Sequence, residues 1–126
     1  MRLKQRLLAI YEKLYTSYGP QGWWPTTPPG AQSPVYDLHQ RRDELTEEQR
    51  WEIIVGAVLT QNTAWRNVTM ALVALGENGK LALPEMAALE ADELGRLVRP
   101  SGYYNQKARR LLELAAFVLE NYEGKP

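Results

Sequence analysis

The chain has 126 residues, 44% of them hydrophobic, with fifteen basic side chains balanced by fifteen acidic ones and no cysteine. That is one domain's length, enough to bury about two-thirds of the surface of the unfolded chain. The neutral balance excludes capture of a polyanion by a global field, so any such attraction must be local, and the missing cysteines exclude a disulfide framework or thiolate-bound metal within these residues.

The opening segment, "MRLKQRLLAIYEKLY", places Leu3, Leu7, Ile10, Leu14 and Tyr18 at spacings of three and four with charges between them, which predicts an amphipathic first helix. Charges interrupt it too often for a signal-peptide core, and the longest apolar run, "IIVGAVL", falls far short of a membrane span. A soluble cytoplasmic protein without membrane contact is expected. Gly19 and Pro20 should end the helix. Residues 26–45 form a Pro-rich loop, long enough to be functional or mobile. Thr46 and Gln49 in "TEEQ" have capping-box spacing and start a helix from Glu47 to about residue 60, apolar on nearly every side and therefore central. Thr63 or Asn62 would cap the next helix, which Gly76 stops. Pro84 suits the first turn of a short helix, "DELGRLVRP" gives another, and "SGYYNQK" opens a long last one. In that last helix Leu111, Leu112, Ala115, Val118, Leu119 and Tyr122 should face inward, and Gly124 closes it. No stretch alternates with period two, so the fold class is all-α with about six helices.

Three constellations carry chemistry. Trp23, Trp24 and Pro25 lie outside any helical period, so the two indoles point in different directions. They serve either as core packing or as a stacking platform, a base on an indole being worth about 1–3 kcal/mol. "VLTQNTAW" follows the central helix with Gln61, too long to cap and bearing a donor and an acceptor at its tip, and with Trp65 close behind. The stretch around "RPSGYYNQKARR" is locally basic: from Arg96 to Arg110 it has Arg96, Arg99, Lys107, Arg109 and Arg110 with no acidic residue, around Tyr103, Tyr104 and Asn105. Basic and aromatic residues so mixed fit a nucleic-acid contact or, equally, a solvated helix face with tyrosines in the core. His39, the one histidine, has no partner for a metal or nucleophile site, and the acidic residues read as caps and exposed faces, leaving no catalytic carboxylate.

Taken together and in this order, "GPQGWWP", "VGAVLTQNTAW" and "LVRPSGYYNQKARRL" resemble the helix-hairpin-helix (HhH-GPD) DNA glycosylases, the endonuclease III superfamily, with the branch that includes a 3-methyladenine DNA glycosylase. The likeness covers nearly the whole chain apart from the 26–45 loop, which looks like an insertion. It implies base-excision repair of double-stranded DNA. Gln61 matches the glutamine that fills the gap left by an extruded nucleotide, and Tyr103 the wedge on a second loop. Trp23, Trp24, Pro25 and Trp65 match an aromatic pocket for an alkylated purine, whose positive charge such a pocket favours. Arg99, Asn105, Lys107 and Arg109 would then contact phosphates.

In that family a hairpin with a phosphate-binding turn and a catalytic Asp follow the helix that ends here near Tyr122, and many members carry an iron–sulfur cluster further on. None of these lies within the 126 residues. The chain therefore resembles the N-terminal half of a glycosylase, without a catalytic residue or cofactor of its own. By itself it is expected to be inactive, and to pair with a complementary C-terminal half or with itself. Two other readings stand beside this one: an endonuclease III-type activity on oxidised pyrimidines, and a non-catalytic DNA-binding or dimerisation module.

Overall fold

The computed structural model describes residues 2–126. Among them it has six α-helices and no strand: α1 Leu3–Tyr18, α2 Glu47–Leu59, α3 Trp65–Glu77, α4 Leu83–Ala87, α5 Ala91–Leu97 and α6 Tyr104–Asn121. Short 3-10 turns at Arg42–Glu44 and Arg99–Ser101 precede α2 and α6. The expected all-α architecture is thus observed.

The central helix forms as its sequence dictates. Thr46 Oγ1 accepts from the Gln49 amide at 3.1 Å while Gln49 Oε1 accepts from the Thr46 amide at 3.0 Å, so two otherwise orphaned donors are satisfied reciprocally. Glu47 and Glu48 lie in the first turn, where the dipole favours them. From that start α2 delivers Trp51, Val55 and Leu59 into a core completed by Val68, Leu72 and Leu75 of α3, Leu94 of α5 and Leu111 and Ala115 of α6. Pro84 sits in the first turn of α4, where its missing N–H costs nothing.

Residues 20–41 are non-helical, and α2 ties them down. Val35 N donates to Thr26 O at 2.9 Å, closing an isolated antiparallel bridge. Gln49 Nε2 donates to Thr26 Oγ1 at 3.0 Å, and Thr27 donates its amide and hydroxyl to the two Glu52 oxygens at 2.8 and 2.7 Å. Glu52 is 2% exposed. Burial raises its pKa from the ordinary 4.5, partly opposed by the two Thr27 hydrogen bonds that favour the anion.

Four expectations need correction. Neither Asn62 nor Thr63 caps α3: Ala64 occupies the cap position without a side-chain bond, Asn62 is left-handed at φ 56°, and Thr63 Oγ1 accepts from Asn67 instead. Gly76 lies inside α3, and the positive φ past its end falls on Gly79, at 66°. Leu119 and Tyr122 face outward on α6, because the buried stripe runs through Leu111, Ala115 and Val118. The apolar stripe of α1 covers nothing: no residue of that helix is buried, and Leu3, Leu7, Ile10, Leu14 and Tyr18 are all more than half exposed.

Candidate nucleic-acid interface

Two turns present the side chains singled out in the sequence. The first joins α2 to α3. Its reversal is made by Asn62 in the left-handed region, a conformation Asn tolerates better than most residues. Gln61 stands exposed just before it, its Oε1 accepting from Arg110 Nη1 at 3.2 Å. The second turn runs from the 3-10 segment Arg99–Ser101 into α6. Here Gly102 has φ 71°, and Tyr103, itself left-handed at φ 44°, is 64% exposed. A bulky side chain held in the left-handed region and facing solvent is strained without the compensation of packing, which directs attention to what the ring does there.

The aromatic residues converge. Trp65 opens α3 directly after the first turn, and its ring centroid lies 5.0 Å from that of Trp23 and 5.6 Å from that of Trp24, both edge-to-face. Trp23 and Trp24 themselves meet at 5.5 Å and 78°, so the two early indoles do point in different directions. Tyr36, from the loop, adds a fourth ring 5.4 Å from Trp23. Trp24 lies against the backbone of α2 where residue 56 is glycine; a Cβ there would come within 3.1 Å of its Nε1. That indole N–H is buried and without a partner, as is the one on Trp51. Pro25 is buried beside them and is not among the residues that line the cleft next to Trp23 and Trp24.

The cluster is no empty slot between indoles, since their facing surfaces are filled by one another's edges. The open space lies on the far side of the pair. Trp23 and Trp24 form one wall of a cleft of about 630 Å³ that Asp37, Leu38, Arg42 and Arg50 complete, and Trp65 is not among its lining residues. Trp23, 55% exposed, is the indole that solvent and ligand can reach. Such a volume accommodates a planar heterocycle, and the wall carries charges of both signs.

The basic stretch divides. Arg99 and Arg109 are exposed, and the Arg99 guanidinium lies 5.8 Å from the centre of the Tyr104 ring, a cation–π contact that leaves the charge at the surface. Asn105 is exposed, its amide against Gly95 of α5. Lys107 departs from expectation. It is 4% exposed, and its ammonium donates to Leu59 O at 2.9 Å and Ser101 O at 2.7 Å, so it cannot reach a phosphate. Burial lowers its pKa from the ordinary 10.5. Sequence reasoning counted Arg110 in the basic stretch without pairing it with Gln61, and missed Tyr36 on Trp23. The partner of Arg110 lies forty-nine positions away, and Tyr36 had no periodic signal at all.

Comparison with known proteins bears on the family and the fold. Residues 55–126 match the family model described as HhH-GPD superfamily base excision DNA repair protein. A Methanocaldococcus jannaschii protein, provisionally named a DNA repair glycosylase, is 36% identical over 118 residues, covering 94% of this chain and 44% of that protein. The endonuclease III of Thermotoga maritima is 30% identical over 79 residues, 63% of this chain and 37% of the relative. Among solved structures, the H. pylori 3-methyladenine DNA glycosylase bound to 1,N6-ethenoadenine is similar with a TM-score of 0.55 and 33% identity over 64% of this chain and 43% of that one. The chain thus spans less than half the length of these relatives. With its family model matched from α2 through α6, the chain belongs to the HhH-GPD superfamily of base excision DNA repair proteins.

Proposed function

We propose that this chain is the damage-recognition part of a DNA N-glycosylase acting on alkylated purines, with the catalytic carboxylate supplied from outside these residues. The observation that carries the reading is the pairing of two solvent-facing turns, one offering Gln61 and the other the strained Tyr103, with an accessible indole, Trp23, braced edge-on by Trp65. Gln61 and Tyr103 enter the duplex where a nucleotide leaves it, and Trp23 receives the base. Extrusion costs a few kcal/mol, least for a damaged pair, and stacking offsets it. The exposed indole of Trp23 in the cleft wall favours a base that alkylation has made cationic, by cation–π attraction. Arg99, Arg109 and Asn105 hold the phosphates on either side. Glu52, the one buried carboxylate among the described residues, is engaged by Thr27 and serves the loop.

The test is excision by the full-length protein from duplexes carrying 3-methyladenine or thymine glycol. Release of 3-methyladenine, lost in Trp23→Ala, supports the proposal; release of thymine glycol alone replaces it with the second reading, an endonuclease III-type enzyme, which the likeness to the Thermotoga maritima protein favours. The exposed apolar stripe of α1 is, in the same proposal, where the remainder of a longer protein docks, a second copy of the chain taking its place in isolation.

A further inference from the structure

We infer that Lys107 is a positioning residue for base extrusion, its buried ammonium fixing the two turns that carry Gln61 and Tyr103 relative to one another. The inference rests on the wedge roles proposed for those two side chains. Leu59, whose carbonyl accepts from Lys107 Nζ at 2.9 Å, lies two residues before Gln61; Ser101, whose carbonyl accepts at 2.7 Å, lies two residues before Tyr103. One cation is therefore seated at the root of both wedges.

The chemistry fits that task better than it fits stability. Lysine is almost never buried without a charged partner, and Lys107 has none within bonding reach, only carbonyls. A methionine would fill the same space without the desolvation penalty. What the ammonium offers instead is several donors on one atom, able to hold two carbonyls from separate segments at a set distance. Leu59 ends α2, where last-turn carbonyls lack helical partners and the dipole is negative, and Ser101 ends the 3-10 turn. The second turn is closed locally as well: Ser101 Oγ donates to Val98 O at 2.7 Å, and Lys107 N donates to Tyr103 O at 3.0 Å. Among the described residues nothing else in the hydrogen-bond network ties the first turn to the start of α6 except Arg110 on Gln61, which acts at the exposed tips. The left-handed residues Asn62 and Tyr103 persist only if the surroundings hold them, and Lys107 is placed to do so.

The experiment uses the full-length protein and a duplex with 2-aminopurine beside a stable abasic-site analogue, whose fluorescence rises when the neighbouring stack is opened. Lys107→Met should lose most of the rise at saturating protein, as should Gln61→Ala, while the dependence of duplex affinity on salt keeps its slope. Lys107→Arg, which retains cationic donors, should recover most of it. A Lys107→Met protein that keeps the full rise but shows a salt slope shallower by about one would overturn the inference in favour of a phosphate contact. If the wild type itself gives no rise, the wedge reading falls. The clamp is then judged without DNA, by dipolar spectroscopy between nitroxides on Ala64→Cys and Arg99→Cys, residues 1–126 holding no cysteine of their own. A broader distance distribution after Lys107→Met supports the clamp, and an unchanged one refutes it.

Discussion

Tyr103 sets stability against its proposed wedge role within a single residue. Its backbone is left-handed and its ring is 64% exposed, so the side chain adds strain and recovers little from packing. Tyr103→Gly should leave the fold unharmed or stabilise it by about 1 kcal/mol, read from denaturant midpoints, while abolishing the opening of a DNA stack. A loss of stability instead would mean that the ring packs in solution. Glu52 gives a second residue-scale expectation, in pH. Its folded pKa lies above the ordinary 4.5, so between that value and the raised one the native state binds more protons than the unfolded state. Stability from this group is therefore complete below 4.5 and is lost as pH rises through the raised value. Glu52→Gln should flatten that part of the stability profile. It should also lose one of the two Thr27 bonds, at a cost of about 1 kcal/mol, and loosen residues 26–45 to proteolysis.

Among the elements, the ones written locally in the chain could be read from it. The capping box at Thr46 and Gln49, the proline in the first turn of α4 and the apolar circumference of α2 each depend on residues within one or two turns, and each was found where expected. Thr46→Ala should cost about 1 kcal/mol of stability, checked by thermal or denaturant unfolding, with the 20–41 segment loosened because Gln49 also holds Thr26. What could not be read locally was partner choice across space. A lysine in a basic run looks like a phosphate ligand until the carbonyls of Leu59 and Ser101, one of them forty-eight positions away, are seen around it. Likewise Gly76 and Gly79 are equivalent as letters, and only the backbone tells which one has positive φ. The tryptophans were placed together by the resemblance, as an aromatic pocket; their edge-to-face packing and the cleft beside them follow from loop geometry that no periodicity encodes.

At the scale of the whole molecule, the core runs from α2 to α6 and α1 stands apart from it. Its amphipathic pattern was legible, its exposure was not, because a stripe of leucines says that something is covered without saying by what. Leu7→Lys with Leu14→Lys should leave unfolding free energy within about 0.5 kcal/mol of wild type while reducing concentration-dependent association in sedimentation. Destabilisation of the monomer would show that α1 folds back onto the core. Of the four tryptophans, three are gathered in one cluster with centroids 5.0 to 5.6 Å apart, close enough for excitation to be shared among them. The protein thus carries its own optical probe: a heterocycle stacked on Trp23 quenches emission from the trio as one, and occupancy of the cleft can be followed by intrinsic fluorescence without any dye.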